Sequence, residues 1–581
     1  MEIQRSLVLA AIAVVTYMMI LAWQRDYGQQ PTEAPVVADS AAVTDAQAST
    51  PSVAATPQSA QEIPTTADIP AATTSPDTPV DRAAQDQPDR STRISVQTDV
   101  LRVEIERHGG DIVRLVLPDY PLHADTPDQP FVLLQDDGQN IYIAQSGLIG
   151  PDGTDSPEGR PVWQAHDTEY RLSETANELN VDLFLQQDDN VTLIKRYTFV
   201  RGSYLIRQSH IVRNQGDQPW QGALYGQIRR DASDDPSAGT AGFVPMPTYL
   251  GAAYWSSENK YNKLPFGDIK DEPFKLVEQG GWLAMAQHYF VSAWVPDQLQ
   301  RHTYSATWLA ATDEYLLRFI SPVTTVAPGS EGVLYSEFYA GPKQQDVLES
   351  ISPGLDMTVD YGWLWFIAQP IFAVLIFLQS GQISVFGNII DLGAGVGNWG
   401  VAIILLTLLI KLVFFKLSAT SYRSMAKMRK AAPEMTRIKE QYKNDRQKQQ
   451  METMKLFQEQ KINPLGGCFP ILVQMPVFIS LYYVLLESVE LRQATFLYLN
   501  DLSVMDPWFI LPLLMGASMF FQMRLNPAPA DPMQAQVMKW MPVIFTTFML
   551  WFPSGLVLYW LTNNLLSIAQ QWVITRRIEN E

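Results

Sequence analysis

Val401-Ala402-Ile403-Ile404-Leu405-Leu406-Thr407-Leu408-Leu409-Ile410-Lys411-Leu412-Val413-Phe414-Phe415 is a run long enough to enter a bilayer, with one basic residue inside it. At 1.5 Å per residue, Lys411 lies about 15 Å along the helix axis from Val401. A charge at that depth costs roughly 2.5–3.5 kcal/mol on insertion scales, so it needs protein or water beside it rather than lipid. The plainer alternative is a side chain that snorkels to the cytoplasmic surface. Lys416 already occupies that end of the span, which weakens the alternative.

The rest of the chain divides by charge. Residues 1–360 carry 24 Lys/Arg against 48 Asp/Glu, and residues 361–581 carry 18 against 13. An acidic, soluble-looking part therefore precedes a membrane-like part. One cysteine, Cys468, excludes an intramolecular disulfide. The six histidines all precede residue 303 and none has metal-ligand spacing, so neither a metal site nor a cofactor is expected. No phosphate-binding loop, dinucleotide fingerprint or G-x-S-x-G elbow occurs, and no enzyme is expected.

Residues 1–27 hold an apolar span (6–23) without a nearby small-x-small cleavage site, which reads as an uncleaved transmembrane anchor. Residues 28–90, rich in Pro, Ala, Thr, Asp and Gln, cannot bury enough apolar surface to fold and read as a disordered tether. In 91–342, Leu101, Val103 and Ile105 alternate with polar residues. Period-two runs recur around Val191–Val200 and Tyr204–Val212, joined by Arg201-Gly202-Ser203. These patterns predict a large antiparallel β-sandwich. Residues 343–400 read as a linker and an amphipathic interfacial helix near 361–378, headed by Tyr361, Trp363, Trp365 and Phe366.

Residues 401–575 then carry apolar segments at 401–417, 469–487, 508–523, 537–552 and 555–573, with a short tail at 576–581. The loop 423–461 has eleven Lys/Arg against five Asp/Glu, whereas 488–507 has only Arg492 among its basic residues. The positive-inside rule puts the first loop in the cytoplasm and the second outside. Both termini are then cytoplasmic and residues 24–400 lie outside. Within 423–461, Met425, Met428, Ala432, Met435, Ile438 and Tyr442 recur at spacings of three and four. After Asn444-Asp445, Met451, Met454 and Phe457 continue the pattern, which predicts a short helical hairpin. Its methionines read first as the hairpin seam and second as an adaptable surface for apolar clients. Its cations, Arg429 and Lys430 among them, can meet anionic lipid or ribosomal RNA.

The spans carry polar residues: Thr407 one turn before Lys411, then Gln474, Gln522, Thr546, Thr547, Thr562, Asn563, Asn564, Ser567, Gln570 and Gln571. Each alone reads as interhelical glue. Around a charge at mid-depth they read together as a wet cavity.

Several stretches then identify a likeness. They are Gly397-Asn398-Trp399-Gly400, Ser424-Met425-Ala426-Lys427-Met428, Asn463-Pro464-Leu465-Gly466-Gly467-Cys468-Phe469-Pro470, Gln474-Met475-Pro476, Ser488-Val489-Glu490-Leu491-Arg492-Gln493-Ala494, Met541-Pro542-Val543-Ile544-Phe545 and Trp551-Phe552-Pro553-Ser554-Gly555-Leu556-Val557-Leu558-Tyr559. Over about 361–575 the chain resembles the YidC/Oxa/Alb family of membrane protein insertases. The anchor, tether and sandwich before it are similar in layout to the Gram-negative form. The resemblance implies a five-helix core around a hydrophilic groove open to cytoplasm and lipid, and a periplasmic β-super-sandwich in the bacterial inner membrane protein. The family's groove arginine falls on Lys411, so charge is kept and the bidentate fork is lost. Its other client-binding groove positions fall on Thr407, Gln474 and the pair Tyr559-Trp560. Implied partners are nascent membrane proteins, the Sec translocon, the ribosome with the signal recognition particle pathway, and the phospholipid bilayer; a monomer suffices. The chain stops at Arg576-Arg577-Ile578-Glu579-Asn580-Glu581, which argues against ribosome docking through a tail. Because groove and hairpin lie in 361–575, removal of residues 28–340 is expected to leave insertion largely intact.

Two rivals compete. A secondary transporter needs inverted repeats, which the sequence does not show. A periplasmic sugar-active enzyme needs an acid/base pair in the sandwich, and either rival leaves the 397–560 motifs unexplained.

Overall fold

The computed structural model describes residues 93–580, apart from 124–125, 157–158, 238–247, 386–387, 392, 394, 444, 461, 463–468 and 526–531. The expected anchor (1–27), the tether (28–90) and Cys468 lie outside the described residues.

Residues 93–342 form two stacked sheets. Among the described residues, one orders ten strands from Phe274–Gln279 at one edge to Glu169–Arg171 at the other, with Thr324–Val326 pairing off that path as an eleventh; the second orders nine, from Lys260–Leu264 to Gln164–Ala165. The run expected at 191–212 is a hairpin of strands Val191–Val200 and Leu205–Asn214, with Ile206 opposite Phe199. Leu101, Val103 and Ile105 all reach the shared core, as their alternation requires. The sandwich is not wholly antiparallel. Arg93–Gln97 pairs in parallel with Glu169–Arg171, which returns to the edge after the excursion through 150–168.

After a short helix at Gln345–Ile351, the described residues form α1 (Trp365–Ser380), α2 (Trp399–Val413), α3 (Phe415–Gln441), α4 (Arg446–Glu459), α5 (Phe469–Glu487), α6 (Ile510–Leu525), α7 (Pro532–Met549) and α8 (Ser554–Asn580). The stretch Gly397–Gly400 shows why α2 starts where it does. Gly397 takes a left-handed φ of +67°. Asn398 then caps the helix, its side chain accepting from the Val401 amide at 3.1 Å and donating to the Thr495 carbonyl at 3.0 Å. A Cβ on Gly400 would stand 2.2 Å from the Phe496 ring, so only glycine admits that contact. α2 and α3 meet at a 68° bend around Phe414.

α1 differs from its expectation. It carries no charged side chain, and its only polar residues are Gln369, Gln379 and Ser380. It buries Ala368, Phe372 and Leu375 while exposing Trp365 and Phe366, so it is apolar nearly all round rather than amphipathic. Gly362–Ser380 is by length and composition able to cross a membrane.

Residues 430–464 belong to a compact unit of their own. There the end of α3 turns at Tyr442–Asp445 into α4, with Asp445 capping the second helix through the Lys448 amide at 3.0 Å. Gln460 reaches back to Glu434 at 2.8 Å. Ala431, not the expected Ala432, is the buried alanine, and Leu456 joins it while Met451 stays exposed.

Candidate functional site

Three helices carry the expected groove residues. α2 supplies Thr407 and Lys411, α5 supplies Gln474, and α8 supplies Tyr559 and Trp560. α8 packs against both α2 and α6. Its polar residues Asn563 and Ser567 sit one turn apart on a single face, starting one turn after Tyr559-Trp560.

Hydrogen bonds that meet at Asn563, one on its backbone carbonyl and one on its side-chain oxygen, link two of the expected positions. The Lys411 ammonium donates to the Ser567 hydroxyl at 2.7 Å. Ser567 donates in turn to the Asn563 carbonyl at 2.6 Å. The Asn563 side-chain oxygen accepts from the Gln474 amide at 2.7 Å. Lys411 and Gln474, 63 positions apart in sequence, are thus joined through α8. The Lys411 partner is a neutral hydroxyl rather than a carboxylate, so the positive charge is solvated but not cancelled. Tyr422, at the start of α3, interacts with the same Ser567 hydroxyl; burial pushes its phenol above the ordinary value.

Thr407 does not join this chain. It is fully buried, and its hydroxyl donates to the Ile403 carbonyl of its own helix at 2.7 Å. A threonine back-bonded in this way has its donor satisfied within its own helix.

The aromatic pair is split. Tyr559 is buried, whereas Trp560 is half-exposed. The Phe478 ring meets Trp560 edge-on at 4.5 Å, and Phe545 of α7 lies at 4.6 Å from the same indole. Phe478 is one turn from Gln474 on α5, so the polar chain and the aromatic wall adjoin. Sequence reading missed Phe478 and Phe545 because an aromatic in an apolar span carries no signal of its own. It noted Asn563 and Ser567 only as generic polar residues.

The expected hairpin residues fall on α3. Met425, Met428 and Met435 are half-buried, whereas Arg429 and Lys430 are exposed. Half-burial matches a seam better than an open surface. No cluster of three or more His, Cys, Asp or Glu suited to a metal occurs among the described residues.

In the sandwich the charged groups close on one another. Arg160 bridges Asp111 and Asp155, at 2.5 Å to the latter. Lys195 donates to the Gly109 and Ser146 carbonyls at 3.0 and 2.9 Å. Burial lowers its ammonium to about 7. These are structural satisfactions, not an open acid/base pair.

Residues 93–374 match the YidC periplasmic domain family, and residues 391–581 match the 60Kd inner membrane protein family. The chain is 67% identical over 583 residues to a membrane protein insertase from Alcanivorax borkumensis, covering all of both chains. It is 48% identical over 587 residues to one from Pseudomonas fluorescens, covering 100% of this chain and 99% of that one. A solved insertase structure with its first transmembrane domain resolved aligns over 82% of this chain and 92% of its own, at 17% identity and a TM-score of 0.36.

Proposed function

The chain belongs to the YidC family of membrane protein insertases, and on that premise we propose how its own residues carry a client across. The protein is a bacterial inner membrane protein with a periplasmic domain. The observation that supports the route is the Lys411–Ser567–Asn563–Gln474 chain held among apolar helices. A client segment gains free energy by entering lipid, but its polar flank must cross first. A polar path partway through the membrane shortens the dry distance. Lys411, uncancelled by any carboxylate in that chain, attracts acidic residues of the flank. The apolar segment then leaves into lipid past Trp560 and Phe478, a wall that is greasy yet offers an indole N–H. The membrane potential draws an acidic flank outward at about 2.3 kcal/mol per charge per 100 mV. No covalent step is involved, and no cofactor enters.

The proposal extends to topology and partners. The anchor at 6–23 followed by five spans at 401–417, 469–487, 508–523, 537–552 and 555–573 leaves both termini cytoplasmic, by the positive-inside bias of 423–461 over 488–507, with α1 kept on the outer side beside the periplasmic domain. The hairpin 423–461, basic and cytoplasmic on that reading, receives clients from the ribosome or the signal recognition particle pathway. The Sec translocon takes part with some clients, and one copy of the chain suffices.

The test is photocrosslinking to a nascent membrane protein from residues 560 and 567 of the full chain. Adducts at both, weakened when acidic residues are removed from the client flank, are expected. A folded protein that yields adducts at neither rejects the route.

A further inference from the structure

The stretch Ser488–Ala494 is used by no step of that route, yet it is held to the sandwich by several side chains. It follows directly on Glu487, the last residue of α5. Val489 is buried and packs into the hydrophobic core of the sandwich, not that of the helices. Arg492 donates to two successive carbonyls on the sandwich rim, Pro121 at 2.9 Å and Leu122 at 2.8 Å. Its guanidinium lies 5.7 Å from the ring centroids of Phe131 and Tyr289 and 5.4 Å from that of Phe290. The Gln493 side chain donates to the same Pro121 carbonyl at 3.0 Å, and its backbone is held at a φ of +60°. A non-glycine residue persists there only where its surroundings over-determine it. Before the stretch, the Lys343 ammonium stands 3.9 Å from the Glu487 carboxylate, both nearly inaccessible, and the His288 ring meets the Leu486 carbonyl at 3.0 Å.

We infer that Arg492 is a positioning residue through which the sandwich fixes the end of α5 and thereby the placement of Gln474 and Phe478. One guanidinium nitrogen holds both carbonyls while the flat, delocalised cation lies among three aromatic rings; an ammonium can make two such bonds but has no planar face to set among the rings. α5 is the helix that brings Gln474 to Asn563 and Phe478 to Trp560. An α5 end released from the rim frees both contacts. The inference rests on the route proposed above. It also opposes the sequence expectation that residues 28–340 are dispensable, because Pro121, Leu122, Phe131, His288, Tyr289 and Phe290 all lie within them.

The experiment uses the full chain in vesicles of phosphatidylethanolamine and phosphatidylglycerol, with Cys468 replaced by serine. Spin labels at Asp188 on the sandwich and Trp508 beside α6, both exposed, report the distance between the two regions. Arg492→Met is expected to broaden that distance and lower client insertion by about tenfold, the factor that loss of one charged hydrogen-bonding group implies. Arg492→Lys, which keeps the charge but not the planar face, falls between. The sandwich's protease-resistant fragment persists in both. An unchanged distance overturns the joint, and a broadened distance with unchanged insertion overturns the positioning role. Where Arg492→Met does not fold, Arg492→Lys and Val489→Ala give the same readings. Client crosslinking at residue 560 separates this from failure of the route: wild-type adducts that persist at full yield in Arg492→Met refute the inference alone.

Discussion

The sandwich and the helical core both bury cations, on opposite terms. In the sandwich Arg160 is paired with both Asp111 and Asp155, and Lys195 beside them donates to backbone carbonyls. In the core, Lys411 is met by the hydroxyl of Ser567. A closed cluster spends its charge internally and holds a fold together. A cation with only a neutral partner keeps its field for something that arrives later. The same residue type thus serves architecture in one region and, on the proposed route, recognition in the other.

Breaking the sandwich cluster gives the largest effect. Arg160→Ala leaves two buried carboxylates without their shared partner, at a cost of about 3–5 kcal/mol. Chemical denaturation of the full chain, followed through sandwich tryptophans, should show that loss, with client crosslinking at residue 560 persisting in the fraction still folded. An undiminished sandwich would mean that its charges, too, are spare.

In the core the corresponding change is Lys411→Glu. Two unit charges about 4 Å apart interact by about 4 kcal/mol near a protein surface, so reversing one should slow insertion of acid-flanked clients by at least about tenfold. Lys411→Arg keeps the charge and should support growth in cells depleted of the native protein. Equal growth with Lys411→Glu would return Lys411 to the role of a snorkelling anchor.

Lys195 sharpens the contrast through pH. Its ammonium is lowered to about 7 in the folded sandwich, against about 10.5 for an ordinary lysine, with burial as the leading cause. Between those values the unfolded chain holds the proton and the folded one does not, so stability from this group rises as pH rises from about 7 toward 10. Below 7 both states are protonated and the burial cost is fully present. Denaturation midpoints at pH 7 and 9 should differ in that direction for the native chain and much less for Lys195→Met.

The smallest effect on stability belongs to the hairpin tip. Deleting Glu440–Lys448 removes an exposed turn with little buried apolar surface, so the melting of the helical core in detergent should hardly move. Client capture should slow. Unchanged capture would leave the hairpin as a connector, and early melting of the core would make it structural.

Much of this was legible in the sequence because periodicity reports burial. Alternation placed the Val191–Asn214 hairpin to within two residues, and the apolar run 469–487 coincides with α5. Lys411 stood out because a charge among aliphatic residues is costly at depth, whether it faces a polar groove or snorkels to the surface. The partner was not legible. Ser567 lies 156 positions away on another helix, and nothing local distinguishes it from Thr562 or Asn564. Thr407 misled because sharing a face with Lys411 fixes direction but not whether a hydroxyl turns to its own backbone. The same limit favoured Ala432 for burial where Ala431 is the buried one, a difference of one position and about 100° of helix.

By itself, then, the sequence determined that 91–342 is built of strands, placed the Val191–Asn214 hairpin, marked the apolar segments after 400, and showed that a cation lies inside one of them. Those facts follow from local spacing and the cost of burying charge. Only the tertiary structure decided which side chain meets that cation, that Gln474 joins it through Asn563, and that Arg492 binds the sandwich rim. Hydrogen bonds between elements depend on how whole helices and sheets pack, and a pattern read along one element contains no term for the distance to the next.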